Sequence, residues 1–314
     1  MIDWYYWILI IFSSVVVLTI LFFVFISFVL YKSTFKRQNS NHLMPKDWTP
    51  FLEQLKKAKL AIISNSNLTE HHIRSYDDKL ELHGYHIKSE VANDILILIL
   101  HGYRSSGLND LSLFYNIYKD TNFDIFAVDH RSHGNSEGTH IGFGTLDHKD
   151  VKIWLEYIKE HFPNKKIIIH GVSMGANTAL LLSDYQFEEV KGIIADCGYT
   201  SVYAQFNHII KTMIKLPSGI LLKASNYLSK RYCGYQLKDE DTKEHLKKSL
   251  RPILFIHGDK DTFVPTCFTF ENYESCASNK ELLIVSNASH AQSALVAEEQ
   301  YRNKVLNFIE KVTK

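Results

Sequence analysis

Hydrophobic positions fall into two regimes along this chain. From Trp4 to Tyr31 no side chain is charged. At 1.5 Å per residue a helix over that run would be roughly 42 Å long, more than the ~30 Å hydrocarbon core of a bilayer requires. The pattern predicts one membrane-spanning anchor over 4–31. Beyond about residue 70 the apolar residues come instead in short runs: Ile95–Leu100, Asp124–Val128, Lys166–His170, Ile193–Asp196, Pro252–His257 and Leu282–Val285. These runs have strand length and alternate with helix-forming segments. The segments holding Trp154, Leu155, Tyr157 and Ile158, and Val305, Leu306, Phe308 and Ile309, have the spacing of sheet-packing faces. Such alternation predicts an α/β architecture, a mostly parallel sheet covered on both faces. About 240 residues are ample for one core, and neither an internal repeat nor a low-complexity tract interrupts them.

Between the regimes, Ser33 to Lys46 is polar and basic, as suits a short tether. Asp47-Trp48-Thr49-Pro50 then reads as a helix start, with an amphipathic turn or two through about Lys59. The expected organisation is an anchor at 4–31, a juxtamembrane tether and leading helix at 32–70, and a folded domain at 71–314.

The apolar run is read as an anchor and not as a cleaved signal peptide. It is preceded by Asp3 and no Lys or Arg, exceeds the length of an h-region and is followed by no small-x-small site. Trp4, Tyr5, Tyr6, Trp7 and Tyr31 stand at its edges as interfacial aromatics do. Lys32, Lys36 and Arg37 follow it, so the positive-inside rule places the folded domain on the cytoplasmic face of the cell membrane. Cys197, Cys233, Cys267 and Cys276 show no disulfide framework, which fits a reducing compartment. A glycan on Asn287-Ala288-Ser289 is discounted because it would sit beside a candidate catalytic histidine. The net charge of +1 gives no argument for nucleic acid.

Candidate chemistry centres on Gly171-Val172-Ser173-Met174-Gly175, between the run Lys166–His170 and the helix formers from Ala176. Strand, Gly-x-Ser-x-Gly and helix form the context of a nucleophile elbow, with the serine at the apex and glycines where a side chain would meet the neighbouring strand or helix. The Met174 N–H is then placed to bind a developing negative charge. A serine hydroxyl needs a histidine to take its proton and a carboxylate to orient that histidine. Downstream, one strand runs into Gly258-Asp259-Lys260-Asp261 and a later one into Ser286-Asn287-Ala288-Ser289-His290, with a helix from about Ser293. Asp259, Asp261 and Asp196, the last at the end of an earlier strand, compete as the acid. His290 is the only histidine after the last core strand. Upstream, Ile95–Leu100 ends in His101-Gly102-Tyr103-Arg104, where glycine lets the backbone turn and the Tyr103 N–H is placed as a second oxyanion donor.

With Asp129-His130-Arg131-Ser132-His133-Gly134-Asn135-Ser136 following the next strand, the chain resembles the α/β-hydrolase superfamily of serine hydrolases over about residues 75–312, including an early hairpin at 75–85. The resemblance implies the α/β-hydrolase fold. Its H-G motif falls on His101 and Gly102, its D-x-R-x-x-G-x-S loop on Asp129, Arg131, Gly134 and Ser136, and its elbow on Gly171, Ser173 and Gly175. Its G-D-x-D-x-x-V-P motif falls on residues 258–265 and makes Asp261 the triad acid, with His290 as the final histidine. His133 departs from the small or aromatic residue common at its position, and the residues suggest no mechanism for it. Among subfamilies the chain looks most like small membrane-anchored bacterial hydrolases and their eukaryotic relatives, including esterases and depalmitoylase-like enzymes. The insertion at about 200–248 matches the place of a helical cap over the active site. From Ser201 to Lys238 it has no Asp or Glu, and Lys211, Lys215, Lys223, Lys230 and Arg231 punctuate apolar residues. This suits a cap with an apolar inner face and lysines in water, or a helix lying on anionic lipid.

The resulting expectation is a membrane-anchored serine hydrolase acting on acyl or lipid-like esters through Ser173, His290 and Asp261. Acyl transfer, thioester or peptide cleavage, or binding without chemistry remain as alternatives. No cofactor is implied. His130, His133, His140 and His148 lie close in sequence, but their spacing does not fit two metal ligands on one helix, and no metal is expected.

Overall fold

The computed structural model describes residues 4–38 and 46–314. Part of the expected tether, residues 39–45, therefore lies outside the described residues. Helix α1, Trp4–Phe35, is long and apolar enough to cross a membrane, and it is the one such helix among the described residues. It continues one turn beyond Tyr31. A 3-10 turn, Lys46–Phe51, with Pro50 inside it, leads into α2, Leu52–Ile63. Leu55, Ala58 and Ile62 form its buried stripe, so the helix continues past Lys59 for as long as the apolar spacing does.

The folded body is built on an eight-stranded sheet. Strands β1 (Leu68–Arg74) and β2 (Glu81–Ile87) pair antiparallel across the turn at 75–80. The hairpin thus begins earlier than expected. As an edge strand β1 buries only Ile73, and its sequence Leu-Thr-Glu-His-His-Ile-Arg has no apolar run to reveal it. β2 pairs antiparallel with β4 (Asp124–Val128), which begins the parallel part with β3 (Ile95–Leu100), β5 (Lys166–Val172), β6 (Val190–Asp196), β7 (Ile253–Gly258) and β8 (Lys280–Val285). The order is β1-β2-β4-β3-β5-β6-β7-β8. Side chains of β3 to β7 are buried on both faces, which is why these strands read as continuous apolar runs.

Helices α3 (Gly107–Tyr118), α4 (Asp147–His161) and α5 (Met174–Leu180) follow β3, β4 and β5. After β6 come α6 (Val202–Ile209), a π turn at Ile210–Ile214, α7 (Ser218–Tyr232) and α8 (Thr242–Leu246). Then α9 (Thr266–Ser275) follows β7, and α10 (Ser293–Val296) and α11 (Glu298–Thr313) follow β8. One core joins the sheet to α2, α3 and α11 through Ile62, Phe114, Val305 and Phe308. Another joins it to α4 and α5 through Trp154, Leu155, Ile158 and Leu180. The two helical stripes read from sequence therefore pack in separate cores. A third apolar cluster joins the end of α1 to the segment 202–237 and the strand-end loops, with Tyr31, Phe35, Phe143, Met174, Phe206 and Leu221 inside it.

Candidate active site

Ser173 sits between β5 and α5 with φ 54° and ψ −112°. Left-handed backbone costs a serine about 1–3 kcal/mol, and its surroundings hold it there. Its N–H donates to the Asp196 carbonyl at 2.8 Å. A Cβ on Gly171 would lie 2.2 Å from the Gly175 oxygen, and one on Gly175 would lie 1.9 Å from the Leu100 oxygen. Both glycines are therefore fixed by contact, as the pentapeptide predicts.

Two strand-end loops bring histidine and carboxylate to this serine. Asp261 Oδ2 accepts from His290 Nδ1–H at 2.6 Å, which fixes the tautomer and leaves His290 Nε2 to accept the Ser173 Oγ–H at 2.9 Å. Asp261 Oδ1 accepts the N–H groups of Phe263 and Val264, each at 2.9 Å. Burial alone would raise the Asp261 pKa. The neighbouring His290 and the hydrogen bonds from His257 and His290 outweigh burial and hold the carboxyl well below the usual range.

His257, singled out by no motif, proves to be part of this arm. It is fully buried, and its Nε2 lies 3.1 Å from Asp261 Oδ2 and 3.0 Å from the Val264 carbonyl. A carbonyl only accepts, so Nε2 carries the proton and Nδ1 accepts from Thr269 Oγ1–H at 2.6 Å. The competing acids are engaged elsewhere. Asp259 Oδ1 accepts the Asn287 N–H at 2.7 Å. Asp196 accepts from Ser293 Oγ at 3.3 Å, and burial pushes its carboxyl up to about 6.

The second arm is the loop after β3. A Cβ on Gly102 would lie 3.5 Å from Ser173 Cβ, so this loop runs directly beside the serine. The Gly102 N–H donates to Asp110 Oδ2 at 2.6 Å, and the Ser105 hydroxyl donates to the other oxygen. Asp110, in the first turn of α3, is pushed up to about 6 by burial. His101 Nδ1–H donates to the Gly102 carbonyl at 2.7 Å, and Nε2 accepts the His130 N–H at 2.9 Å. Burial holds His101 well below its usual pKa, so it stays neutral and shapes the loop. His133 braces the same loop two residues further on, at Arg104. Its Nδ1–H donates to the Arg131 carbonyl at 2.9 Å and its Nε2 accepts the Arg104 N–H at 3.1 Å. The departure at His133 thus has a structural role that the sequence did not disclose. The loop of Asp129 is tied in as well, its carboxylate accepting the N–H groups of Gly107 and Asn135 at 2.7 and 2.8 Å.

The four neighbouring histidines have separate partners: His140 meets the Tyr31 hydroxyl at 2.7 Å, His148 the Gly144 carbonyl at 2.9 Å, and His130 approaches Asp147 at 3.8 Å. Cys197, Asp261 and His290 bring possible metal-ligating atoms within 4.8 Å of one another. Burial pushes the Cys197 thiol up, keeping it protonated, and a thiol is a poor ligand beside an Asp–His pair that already satisfies itself. A second such group, Glu70, His72 and His83, lies on the outer hairpin.

An apolar cluster that contains Met174, the residue after Ser173, lies beside the site. Met174, Tyr199, Val264 and Phe206 are buried, Tyr103 stacks on Phe143 at 5.1 Å, and the Phe263 ring lies 5.0 Å from that of His290. Helix α6 is tied to the Asp261 loop by His208 Nε2–H to the Thr262 carbonyl, 2.9 Å, and Gln205 Nε2–H to the Phe263 carbonyl, 2.7 Å.

Residues 95–221 match the sequence profile of the family described as alpha/beta hydrolase fold. The chain is 29% identical over 232 residues to the uncharacterized protein YqkD of Bacillus subtilis, covering 73% of this chain and 75% of that one. It is 22% identical over 234 residues to the uncharacterized membrane protein YNL320W of Saccharomyces cerevisiae, covering 74% and 76%. Among solved structures, the Pyrococcus furiosus esterase Pf2001 superposes with a TM-score of 0.64 at 22% identity, over 89% of this chain and 100% of that one. Sheet order, motif order and these matches agree, and the chain has the α/β-hydrolase fold.

Proposed function

We propose that this protein is a membrane-anchored serine hydrolase that cleaves carboxylic esters of acyl or lipid-like substrates. His290 Nε2 takes the Ser173 proton as Oγ attacks the ester carbonyl. The N–H groups of Tyr103 and Met174 stabilise the oxyanion, each contributing about 3–4 kcal/mol to lowering the barrier. Asp261 holds His290 in the required tautomer and stabilises the imidazolium. The tetrahedral intermediate collapses to an acyl-enzyme as His290 gives its proton to the leaving alcohol. Water, deprotonated by the same histidine, then releases the acid and regenerates Ser173. The observation that carries this reading is the hydrogen-bond chain Ser173–His290–Asp261, at 2.9 and 2.6 Å.

The apolar cluster beside Ser173 favours acyl substrates over polar ones, and the esterase Pf2001 offers a fold-level analogy. Residues 4–31 serve as the single-pass anchor, and Lys32, Lys36 and Arg37 favour the cytoplasmic face for the domain at 71–314, whose cap spans about 200–248. Full-length protein in detergent, treated with a fluorophosphonate probe, should label in the wild type and not as Ser173→Ala. Folded wild type that neither labels nor turns over a short-chain nitrophenyl ester would overturn the reading in favour of a binding protein.

A further inference from the structure

Helix α1 changes character along its length. Every residue from Trp4 to Phe22 is exposed, whereas from Phe23 onward one face is covered. Phe23, Ile26 and Leu30 pack against the cluster that holds α7, and Ser27, Tyr31 and Phe35 are buried. The Phe35 ring lies 5.1 Å from Phe206 and 5.5 Å from Phe143, the ring on which Tyr103 stacks.

The carbonyls at the end of α1, which have no partner inside the helix, are taken up by the active-site loops. Thr34 O accepts the Tyr103 hydroxyl at 2.9 Å, Ser33 O accepts the Arg104 guanidinium, and Phe35 O accepts the Ile141 N–H at 2.8 Å. Just past the helix, the Arg37 guanidinium donates to the carbonyls of Gly134 and Ser136, each at 2.6 Å. That is the loop whose His133 holds the Arg104 N–H. A tether that only links anchor to body needs none of these bonds; a solvated polar segment would suffice.

We infer that the exit turn of α1, Ser33 to Arg37, is a positioning element of the active site: it grips Tyr103 and Arg104 from outside while Asp110, His101 and His133 hold the same loop from within. The inference rests on the serine-hydrolase reading of Ser173. On it, the turn sets where the Tyr103 N–H points, and therefore how well the site binds the oxyanion, so the anchor takes part in catalysis apart from any role in location.

The test uses full-length protein in detergent, where membrane location no longer matters, and a short soluble ester. Replacing residues 4–22 with an unrelated leucine–alanine helix leaves kcat at the wild-type value. Tyr103→Phe combined with Arg37→Ala lowers kcat about tenfold to a hundredfold, as expected for a misplaced donor, with KM changed by no more than about twofold. Affinity for a boronic acid, which forms a tetrahedral adduct on the serine, falls with kcat, and Arg37→Lys recovers part of the loss. Arg37 is exposed and Tyr103→Phe keeps the ring that stacks on Phe143, so an unchanged thermal midpoint confirms that the body is intact. If the double variant keeps wild-type kcat and boronic-acid affinity while Ser173→Ala is inactive, α1 is a tether only and this inference fails alone. If wild type itself is inert, the serine reading fails and takes this one with it.

Discussion

On one side of Ser173, the Asp261 carboxylate that orients His290 is held by its own neighbourhood: Phe263 N–H, Val264 N–H and His257 all lie within four residues of Asp261 and converge on it. On the other side, the His101–Arg104 loop is held from Asp110, from His130 and His133, and from the end of α1, about seventy residues away in the chain. The Asp261 arm carries a tightly ionised acid on a short loop. The loop arm is a composite whose geometry depends on pieces far apart in the chain. The difference teaches that a buried carboxylate can be oriented and kept ionised by its own loop, whereas holding a backbone loop beside Ser173 takes support from several directions.

The largest test of this contrast is Asp261→Asn, expected to lower kcat by about 10⁴-fold because His290 loses its tautomer. In the same esterase assay, Asp196→Asn and Asp259→Asn should each change kcat by less than about tenfold, since neither orients the imidazole. A comparable loss at Asp196 would move the acid to the end of β6.

On the other arm, Asp110→Ala should lower kcat about a hundredfold, with the local N–H of Gly102 left unpaired and the loop displaced. An effect as small as that of His257→Phe would mean that the loop needs no inner support. His257→Phe removes one of the hydrogen bonds on Asp261 and should lower kcat only about tenfold, because three others remain. Steady-state kinetics of the two variants side by side decides whether support matters more on the composite arm.

The smallest expected effect is on stability against pH. In the unfolded chain both acids titrate near the usual value of about 4. Asp110, pushed up to about 6 by burial, holds its proton more tightly when folded. Its contribution is therefore present at low pH and lost as pH rises from about 4 to about 6. Asp261, held well below the usual range, contributes above about pH 4 and loses that contribution as pH falls. Thermal midpoints across this range should fall less with rising pH in Asp110→Asn than in wild type. Equal slopes would show that Asp110 titrates normally in the folded protein.

Much of the fold was legible because buried parallel strands write themselves as apolar runs, as β3, β5 and β7 do. That Ser173, Asp261 and His290 meet in one hydrogen-bonded chain was legible because each stands beside a strand end in a short motif. Asp110 left one readable signal, an acid in the first turn of the helix after the His-Gly loop. His257 left none, since a histidine ending a buried strand looks like any other core residue. The exit turn of α1 was read as the start of a polar tether because Lys32, Ser33, Thr34, Lys36 and Arg37 are polar; only Tyr31 and Phe35, four apart, hinted at a buried face. Strand β1 escaped notice because an edge strand with one buried side chain carries no hydrophobic signal.

By itself the sequence determined what is local: where the chain is strand or helix, which glycines admit the elbow, and which residue types could transfer a proton. Tertiary structure alone decided that His257 braces Asp261, which side chains hold the loop beside Ser173, and that the end of the apolar helix docks there. Those outcomes depend on contacts between segments far apart in the chain, and the pattern of residues within any one segment does not specify its partner.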